Sequence, residues 1–434
     1  MAARAAPRQQ PANSRQSARS RVVAPRRNPI GLALAGGGPL GAVYEIGALM
    51  ALQEAVAGVD FNDLDVYVGV SAGSFLAAGL ANGVSVAQIY ELFVDDEVAV
   101  AGSLSPEVFL RPAFREYLER AKSVPPLLAR SLWQYATRPR ASSVIESFAV
   151  LGRAIPTGVF DNETIRGYLD SVFAQPGRTN DFRELRHRLY LVATDLDTGE
   201  SVSFGRPGRD HIPISQAVQA SAALPGLFPP VEIEGRYYVD GALKKTLHAS
   251  EALDDGARLV FCVNPIVPYD ARLATEKGKG RHHRLVEGGL PVVLSQTFRA
   301  IIHSRMTAGL AKYRTRYRGA DVVLFEPEAD DSEIFFTNIF SYATRQRLCE
   351  HAYQRTRRDL LKRRLELGPV FERHGLRLRI DILKDPHRRL GATLKHHGGL
   401  FPAPGQLPAA AADLRETLVE LRHWLAAGKD GVPA

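Results

Sequence analysis

Two consecutive strand-turn-helix units near the start of the chain constrain the fold more than any other sequence feature. In the first, an apolar strand that begins at Ile30 opens into Gly36-Gly-Gly-Pro-Leu-Gly41 and then into a helix that ends near Val56. In the second, the apolar strand Val66–Val70 leads through Ser71 into an Ala- and Leu-rich helix. Helices that join successive strands place those strands in parallel. The chain is therefore predicted to be an α/β protein with a mainly parallel sheet covered on both faces.

Later segments extend the same alternation of strands and helices. Short apolar runs bounded by turn residues predict strands, and an apolar run at helical spacing that stops before a proline predicts a helix. The predicted strands are Leu189–Thr194, Ser201–Phe204, the hairpin Val231–Val239 and Leu259–Val263, and the predicted helix is Ile214–Ala223.

The formal net charge of +8 is distributed unevenly along the 434 residues. Residues 1–28 contain seven arginines and no acidic residue, which leaves 48 Lys and Arg against 47 Asp and Glu in the rest of the chain. This segment is rich in Ala, Pro, Ser and Gln and has no apolar block, so it is predicted to be a disordered Arg-rich arm. An organellar transit peptide is the alternative, against which the interspersed prolines argue.

The remaining chain divides into a main domain and an extension. We expect an α/β domain over residues 29–265 with a helical insertion at about 95–160, where prolines punctuate a helical composition. Residues 266–434 are expected to form a mostly helical C-terminal extension, with a flexible loop at 270–289 and a flexible end. Helical periodicity within the extension is clearest at Leu290–Tyr317 and Ser341–Leu367.

The composition excludes several classes of protein. With 45% hydrophobic residues the chain can build a core, which excludes wholesale disorder. Its two cysteines, Cys262 and Cys349, can form neither a disulfide framework nor a four-thiolate metal site, and they fit a reducing compartment. No run approaches 18 uninterrupted apolar residues, so no transmembrane helix is expected and a cytoplasmic location is predicted.

The pentapeptide Gly69-Val-Ser71-Ala-Gly73 matches G-x-S-x-G and lies between a predicted strand and a predicted helix. In a nucleophile elbow, flanking glycines such as Gly69 and Gly73 let the turn tighten until the serine hydroxyl projects from the sheet. Alone, the pentapeptide is equally typical of a plain turn in which Ser71 caps the helix. Ser71 is thus a candidate nucleophile whose role depends on the neighbouring motifs.

The glycine-rich loop has two interpretations. Gly36, Gly37, Gly38 and Gly41 open a helix, and backbone N–H groups at a helix N-terminus can face developing negative charge, as in an oxyanion hole. The loop also matches the dinucleotide pattern G-x-G-x-x-G, which requires an acidic residue at the end of the next strand. The nearby acids precede that strand instead, at Asp60, Asp63 and Asp65. The serine motif that follows the loop favours the oxyanion hole.

The third motif, Asp240-Gly241-Ala242, directly follows a predicted strand. In isolation it predicts only a turn. A serine nucleophile needs a base, however, and a carboxylate held at the end of a strand can supply one. Asp240 is therefore the candidate base.

Together these motifs resemble the patatin-like phospholipases, in which a glycine-rich loop, G-x-S-x-G and D-G-A occur in this order and at this spacing. The resemblance covers about Ile30–Leu253 and includes Ala220-Ser-Ala-Ala-Leu-Pro225 and Phe228-Pro-Pro230. It implies a three-layer α/β/α sandwich and hydrolysis of acyl esters by a Ser-Asp dyad without a catalytic histidine. It also implies Ser71 as nucleophile, Asp240 as general base and the glycine-rich loop as oxyanion hole, with no cofactor and no metal ion.

Three alternatives accompany this expectation. A Ser-His-Asp triad would use a histidine beyond Asp240, but these histidines lack a strand-end context and are expected to be solvated surface groups. They are His248, His282, His283 and His303. A transacylase would pass the acyl group to an alcohol instead of water, and a storage-type protein would keep the fold and bind lipid without catalysis.

The expected partner is a lipid or another ester substrate, and an enzyme that acts on lipid must meet an interface. Residues 345–389 contain 14 Lys and Arg against six Asp and Glu. Amphipathic basic helices dock on anionic lipid, so this patch and the arm at 1–28 are the predicted sites of peripheral membrane contact, with a plain solvated surface as the alternative. No recognition motif accompanies the charge, so no specific nucleic-acid partner is expected.

Overall fold

The computed structural model of the protein describes residues 28–94, 157–278, 285–336 and 342–390. The strands are β1 Ile30–Leu34, β2 Val56–Ala57, β3 Val66–Val70, β4 Arg188–Asp195, β5 Ser201–Phe204, β6 Val231–Ile233, β7 Arg236–Asp240, β8 Leu259–Val263, β9 Asp321–Phe325 and β10 Arg377–Leu378. The helices are α1 Gly38–Ala55, α2 Ala72–Ala81, α3 Val86–Phe93, α4 Glu163–Phe173, α5 Ile214–Ser221, α6 Ala249–Asp254, α7 Ala271–Glu276, α8 Gly289–Arg316, α9 Ser332–Phe336, α10 Tyr342–Lys362, α11 Arg364–Arg373 and α12 Ile380–Lys384.

Eight strands form one sheet in the order β6-β7-β4-β3-β1-β8-β9, with β5 also paired to β4. The five strands β4, β3, β1, β8 and β9 are parallel, whereas β5 and β7 pair antiparallel with β4, and β6 pairs antiparallel with β7. The predicted mainly parallel sheet is therefore confirmed. Because parallel strands end at the same edge, Gly36, Ser71 and Asn264 all lie along that edge just beyond β1, β3 and β8.

Helices cover both faces of the sheet. Alternate strand residues point to opposite faces, and both sets are apolar here, as expected for a parallel sheet buried on both sides. On one face, side chains such as Leu32 and Phe261 pack in the same core as α1, α2 and α10. On the other face, Val68 and Cys262 pack with α6 and with Met306 of α8. This is the three-layer α/β/α arrangement.

The chain beyond residue 265 contributes to the same sheet and the same core. Strand β9 pairs with β8, and α10 packs along α1. The C-terminal helices predicted from periodicity are present as α8, α10 and α11, and α7 lies inside the stretch predicted as a flexible loop at 270–289. The boundary predicted at residue 265 stays a prediction.

Several predictions concern residues outside the described ranges. They are the arm up to residue 27, the insertion from residue 95 to 156, residues 279–284 of the predicted loop and the C-terminal end from residue 391. Within the described ranges, no helix is both long enough and apolar enough to cross a membrane.

Candidate active site

Ser71 occupies a tight turn between β3 and α2. Its backbone has φ 52° and ψ −124°, a conformation that L-residues rarely adopt and that persists only where the surroundings enforce it. The side chain is nearly buried, with 7% of the residue exposed. A strained turn between a strand and a helix is the geometry expected of a nucleophile elbow, and the role of Ser71 as nucleophile stays a prediction.

The glycines around Ser71 are required by close packing. A Cβ atom on Gly69 would lie 2.6 Å from Ser74 Cα, and one on Gly73 would lie 2.5 Å from the carbonyl oxygen of Ala35. Both distances are shorter than real contacts of a Cβ atom. The Gly73 N–H also donates to Ala35 O at 3.2 Å, which ties the elbow to the end of β1. The G-x-S-x-G spacing is thus a steric requirement of this turn.

Ser221, at the end of α5, holds the backbone of Ser71 in place. The Ser71 N–H donates to Ser221 Oγ at 2.9 Å, and the Ser221 hydroxyl donates to Val192 O at 2.6 Å. All three groups are buried. The sequence indicated the stretch around Ser221 only through the family resemblance and gave it no role. Its function here is to fix the elbow and to occupy the Ser71 N–H.

Asp240 lies at the end of β7, beside the turn that contains Ser71. It pairs with Ala193 of β4, one residue beyond Val192, which is the partner of Val70. Gly241 must be glycine because a Cβ atom there would overlap Val192 O. The register of β4 with its two neighbours therefore brings the predicted base to the predicted nucleophile.

The Asp240 carboxyl is buried, with 2% of the residue exposed, and it accepts a hydrogen bond from the Ala242 N–H at 2.8 Å. The Ser71 side chain faces the same carboxyl. Burial raises the pKa of Asp240 to about 6, although Ser71 and the Ala242 N–H act in the opposite direction. The carboxyl is therefore ionised at neutral pH and can accept a proton from Ser71.

The glycine-rich loop lies directly beside Ser71. A Cβ atom on Gly36 would approach Ser71 Cβ to 2.9 Å, and one on Gly37 would approach Pro265 Cγ to 2.7 Å. Gly38 begins α1 with φ 59°, and Gly41 closes the first turn by donating to Gly37 O at 3.1 Å. N–H groups in the first turn of a helix have no acceptor within the helix, so this loop, which lies next to Ser71, is suited to bind an anion.

The acids considered for a dinucleotide site lie at the other edge of the sheet. Asp65 accepts a hydrogen bond from the Ile30 N–H at 2.8 Å, at the start of β1, whereas Gly36 follows its end. The position after β3 is occupied by Ser71. The loop therefore faces a serine, and no acidic residue takes the place that would bind a ribose.

The histidines proposed for a triad do not approach the Ser-Asp pair in the contacts that the described residues make. His248, expected on the surface, is buried, so that expectation was wrong; burial lowers its pKa to about 3. It immediately precedes α6, which packs on the second face of the sheet. His303 Nε2 lies 3.6 Å from Glu326 Oε2. His282 and His283 lie outside the described ranges.

No group of three His, Cys, Asp or Glu residues in the described part could hold a metal ion.

A parallel α/β/α sandwich with a serine on a strand-to-helix elbow belongs to the broad class of α/β proteins that carry a serine-hydrolase motif. The model of one family, described as patatin-like phospholipase, matches residues 32–253, half of the chain. The protein therefore belongs to the patatin-like phospholipase family, whose members generally hydrolyse lipid esters.

Curated relatives match over a short stretch. The chain is 37% identical over 73 residues to an uncharacterised NTE family protein of Mycobacterium tuberculosis and to its counterpart in Mycobacterium bovis. The match spans 17% of this chain and only 19% of the length of each relative.

Solved structures that are similar include VipD from Legionella pneumophila and human GIVD cytosolic phospholipase A2 bound to methyl gamma-linolenyl fluorophosphonate. The first is 16% identical, with a TM-score of 0.37 over 77% of this chain and 67% of VipD. The second is 16% identical, with a TM-score of 0.24 over 58% of this chain and 42% of the human enzyme.

Proposed function

We propose that the protein is a lipid acyl hydrolase of the phospholipase A or esterase type, which cleaves carboxylic esters through an acyl intermediate on Ser71. The observation that carries this proposal is the placement of the Ser71 side chain against the buried Asp240 carboxylate, beside the glycine-rich loop. Membership in the patatin-like phospholipase family supports a lipid ester as the substrate class.

In the first half of the reaction, Asp240 accepts the proton of Ser71 while Ser71 Oγ bonds to the ester carbonyl carbon. The carbonyl oxygen becomes an oxyanion, which the N–H groups of Gly37 and Gly38 stabilise at the start of α1. The Ser71 N–H is bound to Ser221, so the glycine-rich loop supplies the donors. Collapse of the intermediate breaks the ester bond, and the departing alcohol takes the proton from Asp240.

In the second half, water replaces the alcohol. Asp240 accepts a proton from the water as its oxygen attacks the acyl carbon, and the same loop stabilises the second oxyanion. The bond to Ser71 Oγ then breaks, and Ser71 recovers the proton from Asp240 as the fatty acid leaves. One carboxylate thus serves as base and acid in both halves, and neither half requires a histidine.

Substitution of the two residues tests the proposal. Ser71→Ala removes the nucleophile and Asp240→Asn removes the base, so each should lower kcat on a soluble nitrophenyl ester by about a thousandfold or more. Ser201→Ala and Asp197→Asn change an exposed serine and an exposed aspartate on and beside the β4-β5 hairpin and serve as matched controls. Equal rates for all five proteins, wild type included, would eliminate Ser71 catalysis.

Labelling by an alkyl fluorophosphonate gives a second readout that does not depend on the natural substrate. The serine oxygen displaces fluoride from phosphorus, so intact-protein and peptide mass spectrometry should locate one adduct on Ser71 and none in Ser71→Ala. A storage-type protein would bind lipid without labelling. A transacylase would label equally, but it would transfer the acyl group faster when an acceptor alcohol is added.

A further inference from the structure

Helix α8 exposes a row of apolar side chains along its N-terminal half. We call Leu290, Val293, Leu294, Phe298 and Ile301 the apolar stripe, and their exposed fractions range from 40% to 68%. Residues three or four apart lie on the same face of a helix, so the five side chains form one continuous surface. Single exposed apolar residues are normal on a folded protein, whereas a contiguous group marks an interaction surface.

The opposite side of α8 is firmly attached to the rest of the molecule. Met306 and Tyr313 are buried in the core on the second face of the sheet. Gln296 exchanges two hydrogen bonds with the backbone of Tyr269, at 3.1 and 2.8 Å, and Arg299 Nη1 donates to Val267 O at 3.3 Å. The exposure of the apolar stripe is thus a property of a docked helix, not of a detached one.

The charge of α8 complements an anionic surface. Its 28 residues contain five Lys and Arg and no Asp or Glu. Arg305 and Lys312 are exposed and continue the apolar stripe at helical spacing. Glu287, in the turn before the helix, is the acid nearest to the stripe along the chain. An apolar face followed by basic residues is the pattern of helices that lie in the interface of a membrane with anionic lipids.

Helix α8 also runs beside the candidate active site. Arg305 Nη1 donates at 3.1 Å to the carbonyl oxygen of Leu243, in the turn that follows Asp240. Val267, which bonds to Arg299, lies two residues beyond Pro265, against which the glycine-rich loop packs. The helix therefore contacts the turn after Asp240 and the segment after β8 that packs against the glycine-rich loop.

We infer that the apolar stripe of α8 docks the protein on an anionic lipid bilayer and thereby presents the Ser71 edge of the sheet to membrane esters. This inference rests on the proposed function and names the surface through which the enzyme would meet its substrate. Leu294 and Phe298 enter the boundary between head groups and acyl chains, while Lys312 and the Arg305 nitrogens that do not donate to Leu243 O face the lipid phosphates. Phe336, also exposed and in ring contact with Tyr269, adds an aromatic group next to α8.

The basic patch at residues 345–389 is a weaker candidate because many of its arginines are bound within the fold. Arg345 is buried and donates to Phe93 O, and Arg357 is buried and donates to Asp385 O. Others pair with acids, among them Arg363 with Asp359, Arg373 with Asp321 and Arg388 with Glu54. Their charge holds the C-terminal helices in place, so among the described residues α8 carries the larger group of exposed apolar side chains next to basic ones.

A double variant that introduces negative charge into the apolar stripe tests the docking surface. Leu294→Glu with Phe298→Glu should weaken binding to vesicles of phosphatidylcholine and phosphatidylglycerol by about tenfold or more, because two apolar groups leave the lipid and two negative charges enter. Leu365→Glu changes an 82% exposed leucine on α11 and should bind like the parent. All proteins carry Ser71→Ala, so vesicle binding is measured independently of catalysis. Undiminished binding of the double variant would overturn the inference.

Activity on two substrates separates docking from chemistry. With Ser71 intact, the double variant should lower the ratio of hydrolysis of vesicle phospholipid to hydrolysis of a soluble ester by about tenfold, whereas Leu365→Glu keeps the ratio of the wild type. An unchanged ratio counts against the docking surface. If the wild type hydrolyses neither substrate yet binds vesicles through α8, the proposed function fails and the docking surface stands.

Two other possible occupants of the apolar stripe would give different results. A second copy on the stripe would make the wild type sediment as a dimer and the double variant as a monomer. Another segment of this chain on the stripe would bury the introduced indole of a Phe298→Trp variant before any vesicle is added. Either result would overturn the inference. We expect the protein to be a monomer. The fluorescence of the indole introduced by Phe298→Trp, measured as the difference between variant and wild type, should be that of a solvent-exposed indole. It should shift to the blue only with anionic vesicles.

Discussion

Ser71 has a strained backbone that its neighbours enforce. A residue in a sparsely populated region of φ and ψ costs about 1–3 kcal/mol, so it persists only where surrounding contacts determine it. Here, the Gly73 N–H bonds to Ala35 O and the Ser71 N–H bonds to Ser221. The second bond has a chemical consequence, because an occupied N–H cannot also stabilise an oxyanion. The proposed oxyanion hole therefore does not include the Ser71 N–H, and the glycine-rich loop is its proposed source of donors.

The pH dependence of activity should follow the ionisation of Asp240. Only the carboxylate can accept the Ser71 proton, and burial raises its pKa to about 6. As the pH rises through that value the base becomes available, so kcat/KM on a soluble ester should increase from acidic pH, with a midpoint of about 6, and level off near neutrality.

The same profile tests for a histidine base. Burial lowers the pKa of His248 to about 3, which makes this residue neutral across the measured range. A His248→Gln variant should therefore retain the midpoint of about 6 that Asp240 sets. A midpoint that moves or vanishes in that variant would show that His248, not Asp240, controls the rate.

At the scale of single elements, strands buried on both faces were the most predictable. The apolar runs Val66–Val70 and Leu259–Val263 coincide with β3 and β8. Helix α1 begins at Gly38, inside the glycine-rich loop and not after Gly41 as predicted, because Gly38 and Pro39 suit the first turn of a helix although they are poor in its interior. Local pattern therefore defines an element well but places its end poorly where the end is also a functional loop.

Contacts between segments far apart in the chain could not be predicted from the sequence. Ser221 supports Ser71 from 150 positions away, and its role depends on the pairing of β4 with β3 and β7. The sequence around His248 is typical of a surface turn, but the residue is buried because α6 packs on the second face of the sheet. The Ser-Asp pair could be predicted only because three motifs occurred together, since the serine and aspartate motifs alone fit a plain turn and the glycine-rich loop alone fits a dinucleotide site.

The packing of α10 on α1 depends on one glycine. A Cβ atom on Gly47 would overlap Cys349 O and lie 2.9 Å from Ala352 Cβ. Backbone cannot move aside cheaply, so Gly47→Ala should lower the free energy of unfolding by about 1–3 kcal/mol. Chemical denaturation monitored by circular dichroism measures this change.

Gly167→Ala is the matched control, since Gly167 lies inside α4 and a Cβ atom there would contact nothing within 4 Å. An alanine in a helix interior is favoured over glycine by about 0.5–1 kcal/mol, so this variant should be more stable than wild type. If both variants changed stability equally and in the same direction, close packing of α1 against α10 would not be the cause.

At the scale of the whole molecule, the sheet extends beyond the family match. The match ends at residue 253, yet β8 follows it and lies in the sheet between β1 and the edge strand β9. Pro265, just after β8, is the residue against which Gly37 and Gly41 pack. The glycine-rich loop is therefore shaped by a part of the chain that the family model does not include.

Truncation shows whether residues 29–265 form an independent domain. A chain ending at residue 265 loses β9, α8 and α10, which leaves β8 as an open edge, uncovers α1 around Gly47 and removes Met306 from the second core. Exposed strand edges and apolar faces promote aggregation. We expect this chain to aggregate or to unfold without cooperativity.

A chain ending at residue 390 keeps every described element, so it should retain the cooperative thermal transition and the soluble-ester activity of the full chain, as size-exclusion chromatography, calorimetry and the ester assay would show. The comparison has two clear outcomes. If the chain ending at 265 unfolds with the same transition and hydrolyses the ester, the predicted boundary is real and the C-terminal helices are an attachment. If only the longer chain does so, β9 and α10 belong to the catalytic unit, and α8 is held rigidly enough beside Asp240 to couple membrane docking to the active site.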